Sequence, residues 1–266
     1  MIYFAKTDTG KRRQINQDSY FASDKPIGDF PNLFLVADGV GHGSGGEYAS
    51  SHTIEVIINY FERVRDTYTK GQLFHSAINI ANLDLYNKSR SDSNYYDTGT
   101  TLVGGYIEND RLSIVNIGDS RCYKISDTIK QISYDHSYAE ELVRAGQLER
   151  GTPDYEAKKN SIVRAVGAEA KIKIDYFDLT LKKDDYILFC SDGLTNMLSN
   201  QEIMDIVKEE GITVEEKVNK LIDKANEAGG KDNITAILVQ IDEIKDSLKE
   251  LEDRVLWEIK IKTKRK

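Results

Sequence analysis

Short runs rich in β-branched and aromatic residues, bounded by turn formers, recur at 19–23, 33–37, 100–107, 112–117, 123–126, 186–190 and 234–241. This pattern predicts strands. Two stretches between them change period. Ile54, Ile57, Ile58, Phe61 and Val64 recur at helical spacing after a glycine-rich segment, and Phe74, Ala77, Ile78, Ala81 and Leu85 do so again, which predicts consecutive amphipathic helices lying over a sheet. Further helices are expected over 139–146, 201–210 and 215–228. Glu108-Asn109-Asp110-Arg111 separates two of the strands as a turn, so they pair as a hairpin. Antiparallel sheets in an α+β fold follow from this order, rather than repeated βαβ units.

No Pro-rich or Ser/Gly-rich linker divides the chain, and residues 1–241 read as one domain. From 242 to 266 the pattern becomes a helix of alternating charge, with Ile244, Leu248, Leu251, Val255 and Ile259 on one side and Lys260, Lys262, Lys264, Arg265 and Lys266 at its end. It reads as a helix packed on its own domain, with self-association or binding to a partner helix and a weak anionic-membrane contact as the other readings. The 266 residues carry 36 Lys and Arg against 44 Asp and Glu, a formal net charge of −8. A nucleic-acid partner is not expected from that balance. Two cysteines, Cys122 and Cys190, both in apolar strand-like runs, exclude a disulfide scaffold and a four-cysteine zinc site, and fit a reducing cytoplasm. No signal-peptide pattern opens the chain, and no apolar run reaches the roughly 18 residues of a membrane span.

The chemistry lies where strands meet acids. Asp38 follows Leu33-Phe34-Leu35-Val36-Ala37 and precedes Gly39, and Asp192 follows Tyr186-Ile187-Leu188-Phe189-Cys190-Ser191 and precedes Gly193. Asp119 closes a third strand, while Asp18 and Asp232 open two others. In an antiparallel sheet the end of one strand lies beside the start of its neighbour, so these carboxylates can converge on one edge. One Asp-Gly pair alone is a simple turn. Several carboxylates together raise one another's pKa unless a cation compensates, and oxygen-only donors suit Mg²⁺ or Mn²⁺. The four histidines show no zinc-ligand spacing.

At these residues the chain resembles the bacterial form of the protein phosphatase 2C (PPM) family of metal-dependent Ser/Thr phosphatases. The matching words run in order: Thr7-Asp8-Thr9-Gly10 with Arg13-Gln14-Ile15-Asn16-Gln17-Asp18, Ala37-Asp38-Gly39-Val40-Gly41 and Glu47, and Thr98-Gly99-Thr100-Thr101. Asn116-Ile117-Gly118-Asp119-Ser120-Arg121, Asp135-His136-Ser137, Ile162-Val163-Arg164-Ala165-Val166-Gly167, Ser191-Asp192-Gly193-Leu194 and Gly229-Gly230-Lys231-Asp232-Asn233-Ile234-Thr235 complete the series. The resemblance implies a four-layer α-β-β-α sandwich with two or three Mn²⁺ or Mg²⁺ ions at one end. It implies that Asp38 bridges two metals, that Gly39 ligates one through its carbonyl, and that Asp192 and Asp232 hold the second. Asp119 with Asp192 matches a third metal site, Asp18 stands behind the metals and fixes their water, and Arg13 matches the phosphate-binding arginine, with Arg12 the gripping residue if the register shifts by one. Residues 138–162 take the place of the family's flap.

The implied reaction is hydrolysis of phosphoserine and phosphothreonine in proteins by a metal-bridging water, without a covalent phosphoenzyme. Phosphorylated proteins are then the partners, with a Ser/Thr kinase of the same cell opposing the enzyme. His42 is the candidate acid for the leaving oxygen, although relatives commonly place this histidine one residue later. The alternative is a loop role. Gln17 stands where many relatives carry Glu, which removes a charge near the metals. Two decoys are set aside. Gly41-x-Gly43-x-x-Gly46 has dinucleotide spacing but follows an antiparallel strand, and neither cysteine is followed at the sixth position by the arginine of thiol phosphatases. A catalytically silent phosphoprotein-binding module and a metal-dependent nuclease are the rival readings.

Overall fold

A computed structural model describes residues 1–64 and 68–243; the expected helix over 244–266 lies outside the described residues. Two antiparallel sheets form its centre. One has the order β1 (Ile2–Asp8), β11 (Ile234–Gln240), β10 (Tyr186–Cys190), β7 (Arg121–Ile125) and β8 (Ile129–Gln131). The other has the order β2 (Asp18–Ser23), β3 (Leu33–Val40), β5 (Leu102–Glu108), β6 (Arg111–Ile117) and β9 (Asp175–Thr180), with the short β4 (Gly99–Thr100) paired to β3.

Three apolar layers hold these sheets in a sandwich. Phe34, Val36, Val103, Ile114, Phe189 and Ile237 fill the space between the sheets, and the rings of Phe34 and Phe189 stack across it at 6.3 Å. Leu33, Leu35 and Ala37 point the other way, toward α1 (Gly45–Arg63) and α2 (Lys70–Ser91), where they meet Ile54, Ile57, Phe61 and Ile78. The unbroken apolar run of β3 is thereby explained: both its faces are covered. On the far side Leu188, Ala236 and Leu238 pack against α6 (Asn200–Val207) and α7 (Val214–Glu227) through Ile203, Val218, Leu221 and Ile222. The α-β-β-α layering matches the expectation. Sequence-local signals start the helices, because Thr69, Ser199 and Thr213 form capping boxes with Gln72, Glu202 and Glu216.

Several boundaries differ from those expected. The stretch 100–107 breaks at Thr101, where the chain leaves β4 and enters β5. Thr101 is occupied there: its amide donates to the Asp38 carbonyl at 2.8 Å and its hydroxyl accepts from the Asp38 amide at 2.9 Å. Asp38 and Gly39 lie inside β3 rather than after it. Strands β1, β8 and β9, together with α4 (Pro153–Lys158) and the one-turn α5 (Asp192–Thr195), are additional to the elements that the sequence pattern predicts.

Candidate active site

The aspartates singled out above gather at one end of the sandwich, from both sheets. Asp18 opens β2 and lies opposite Asp38 in the β2–β3 register. Asp119 lies in the crossing from β6 to β7, that is, from one sheet to the other. Asp192 is the first residue of α5, directly beyond β10, and Asp232 stands just before the neighbouring β11. The glycines after Asp38 and Asp192 are required by crowding. A Cβ on Gly39 would lie 2.0 Å from the Gly46 carbonyl oxygen, and one on Gly193 would lie 1.9 Å from that of Asn233. These close approaches bring the α1 entry and the β11 entry against the acids.

Hydroxyl and amide groups orient the carboxylates. Ser191 Oγ and Thr235 Oγ1, from the opposite sheet, each donate to Asp18 Oδ2 at 2.7 Å. Thr101 and Ser120 share a buried hydroxyl contact of 2.7 Å between Asp38 and Asp119. Asn196 Nδ2 donates to Asp192 Oδ2 at 2.8 Å, and the Asn233 amide donates to Asp232 Oδ1 at 2.9 Å.

Burial pushes Asp18 up to about 7, despite the two hydroxyl donors, and Asp192 and Asp232 add to the rise. Asp38 is raised well above the carboxylate range by burial and by Asp18, Asp192, Asp119 and Asp232 in turn. Asp119 is raised by burial, then by Asp192 and Asp135. Asp192 is raised by burial and by Asp232, against a hydrogen bond from Asp38. Among the described residues no three Asp, Glu, His or Cys side chains already close into a metal cage. The carboxylates nevertheless share one electrostatic environment, and Asp18 Oδ1 and Asp119 Oδ1 are buried with no donor facing them. Two orphaned acceptors in an all-oxygen cluster fit a hard divalent cation, which supplies positive charge where no N–H does.

Arg13 reaches this cluster. Its Nη2 donates to Asp232 Oδ2 at 2.8 Å, and that bond, more than any other influence, raises the guanidinium pKa. Arg12, the neighbour considered in sequence, makes no such contact. The loop carrying Arg13 is fastened by Asn233, whose Nδ2 donates to the carbonyls of Thr9 and Ile15 at 2.8 and 3.0 Å and whose Oδ1 accepts from the Gln17 amide at 2.9 Å. His42 is exposed on the turn between β3 and α1. Gln17 holds this turn: its Nε2 donates to the carbonyls of Gly43 at 3.1 Å and Gly41 at 3.4 Å.

The protein phosphatase 2C family model matches residues 8–238. The chain belongs to this family. It is 32% identical over 241 residues to the serine/threonine phosphatase stp of Listeria monocytogenes, covering 89% of this chain and 94% of the relative. It is 34% identical over 240 residues to the protein phosphatase PhpP of Streptococcus pneumoniae, covering 89% and 96%. Among solved structures, the S. agalactiae serine/threonine phosphatase superposes with a TM-score of 0.83 at 31% identity over 91% of this chain and 99% of that one. The catalytic domain of the phosphatase PstP in complex with 2 manganese ions superposes with a TM-score of 0.78 at 27% identity, over 91% and 98%.

In this protein phosphatase 2C chain three polar clusters brace the site. Arg121, whose pKa stays well up because Tyr123 and Asp135 outweigh burial, donates to both Asp135 oxygens at 3.0 and 2.6 Å beneath Asp119. His136 accepts from the Gly118 amide through Nδ1 at 3.0 Å, which leaves its Nε2 3.1 Å from Asp175. The excursion 138–161 is closed at its base by Tyr138 N to the Ser161 carbonyl, 2.8 Å. Inside it, buried Glu140 accepts two bonds from Arg150 at 2.8 and 2.6 Å and one from Tyr155 at 2.7 Å. Arg121 and Asp135 sit in quoted motifs, so their presence was legible. Their pairing across 14 residues was not.

Proposed function

We infer that this protein is a metal-dependent phosphatase that removes phosphate from phosphoserine and phosphothreonine in proteins. The observation that carries the reading is the gathering, in a protein phosphatase 2C chain, of Asp18, Asp38, Asp119, Asp192 and Asp232 at one sandwich end, with two buried carboxylate oxygens facing no donor. Asp38, the Gly39 carbonyl, Asp192 and Asp232 are the residues to hold two Mn²⁺ or Mg²⁺ ions, and Asp119 with Asp192 a third. When bound, such ions neutralise phosphate charge and supply a nucleophile from water at neutral pH.

The chain's own residues do the rest. Asp18, held by Ser191 and Thr235, accepts hydrogen bonds from water at the site and keeps it oriented. Arg13 presents a planar fork to two phosphate oxygens and positions the group for in-line attack. The leaving serine or threonine oxygen needs a proton, and His42, exposed on its Gln17-braced turn, is the residue assigned to give one. No side chain need be phosphorylated. Residues 1–241 constitute the catalytic domain. Two buried free cysteines fit a cytoplasmic setting, and none of the described helices is long and apolar enough to cross a membrane. A Ser/Thr kinase of the same cell supplies the substrates.

The test is release of phosphate from a phosphothreonine peptide and from an aryl phosphate with Mn²⁺, beside EDTA and Asp38→Ala controls. Loss of activity by a factor of roughly 10² or more in both controls is expected, the scale at which electrostatic stabilisation of the transition state acts. Activity that survives either control overturns the reading.

A further inference from the structure

The rim of the aspartate cluster carries charge of the opposite sign to the whole chain. Lys11 and Arg12 precede Arg13, and their backbone amides donate to the Gly230 carbonyl at 2.8 and 3.1 Å, which sets them beside Lys231. All three side chains are exposed and form no ion pair among the described residues. The nearby carboxylates are already taken. Asp232 holds Arg13 at 2.8 Å, Glu227 holds Lys224 at 2.7 Å, and Glu156 holds Lys159 at 2.8 Å.

Beside this rim a cavity of about 280 Å³ opens between α5 and the excursion 138–161, lined by Glu156, Lys159, Asn160, Met197, Lys231 and Asp232. It is continuous with the cluster through Asp232. A chain of net charge −8 repels anionic substrates at long range, and a local group of unpaired cations reverses the field only at its own position. Surface cations outside a close ion pair keep most of their attraction for an incoming carboxylate.

We propose that Lys11, Arg12 and Lys231, together with the α5 cavity, form a docking rim for an acidic segment flanking the phosphorylated residue of the protein substrate. The proposal rests on the phosphatase reading and adds a preference to it. Acidic neighbours meet the rim while Arg13 takes the phosphate, so the two contacts reinforce each other. Neutral or basic neighbours gain nothing there.

The experiment compares three labelled phosphothreonine peptides that differ only in flanking residues: glutamates, glutamines or lysines. Fluorescence anisotropy with the full chain and Mn²⁺ reads binding, and phosphate release reads turnover. The glutamate peptide is expected to bind roughly fivefold or more tighter than the glutamine peptide, as a few exposed pairs together allow. The advantage should shrink as salt rises from about 0.1 M to about 1 M, where the screening length falls from ~10 Å to ~3 Å. Lys11→Glu with Lys231→Glu should reverse the order of the peptides, and Lys11→Gln with Lys231→Gln should level it. Equal binding of the glutamate and glutamine peptides, or an order unmoved by both double variants, overturns the rim. Preferential binding of the glutamate peptide with no phosphate released overturns the phosphatase reading and leaves the rim standing.

Discussion

Asp18 and Asp38 face each other across the β2–β3 ladder. Like charges directly opposite on adjacent strands oppose pairing, and both carboxyls are raised by burial and by their neighbours. The fold carries this repulsion at its functional end. Asp38→Asn should therefore raise stability in EDTA by about 1–2 kcal/mol, or ~2–4 °C in Tm per kcal/mol, while abolishing the Mn²⁺-dependent rise in Tm and the activity. Thermal melts with and without Mn²⁺ check this, and a variant that melts lower than the parent in EDTA counts against it.

The same shifts fix a pH dependence. Asp18, raised to about 7, holds its proton in the folded chain over a range where the unfolded chain has released it. The folded state then binds more protons, so metal-free stability falls as pH rises from about 4 toward 7. A divalent ion competes with those protons, and its stabilising increment grows over the same interval. The Mn²⁺-induced shift in Tm, followed from pH 5 to 8 at about fixed free metal, should increase with pH. A flat profile would speak against proton and metal sharing the cluster.

Gln17 is expected to matter as a donor. A carboxylate at this position cannot donate to the carbonyls of Gly41 and Gly43, which lie 3.4 and 3.1 Å from the amide nitrogen. Gln17→Glu should cost about 1–3 kcal/mol through carbonyls left facing an acceptor, and loosen the His42 turn. Hydrogen exchange at the amides of residues 41–46 reads this locally, and unchanged exchange would refute the brace.

Glu140 should fix the shape of the excursion over the cleft. Arg150 holds its carboxyl below the usual range, so this brace is present at neutral pH and is lost as acid protonates it. Glu140→Ala strands Tyr155 and Arg150 at a cost of about 1–3 kcal/mol. Limited proteolysis between α3 (Tyr138–Arg144) and α4 should accelerate several-fold, while the Tm of the sandwich changes less. Equal protease resistance would show that the excursion is held elsewhere.

The alternation of apolar runs with acids made the sheets and the aspartate edge legible in sequence, because strand direction alone brings Asp38, Asp192 and Asp232 to one end. Thr101 stands in a quoted motif, but nothing local shows that its partner is the backbone of Asp38, 63 positions away. β9 was missed for a different reason: Asp175–Thr180 alternates exposed and half-buried positions at a sheet edge and never forms an apolar run. The family's pattern singles out Arg13, and of the two neighbouring arginines it is Arg13 whose side chain meets Asp232, at 2.8 Å. Gln17 was noticed as a lost charge, yet its donor bonds required the turn geometry to become visible.

β1 has a single neighbour in its sheet, and that neighbour is β11. β1 therefore cannot pair until residues 234–240 are present, and the same segment delivers Thr235 to Asp18. A nascent chain halted before that point lacks Asp232 and the tether on Asp18 alike. Pairing of β1 and closure of the aspartate cluster thus depend on one and the same segment, and a fragment without it is deprived of both at once.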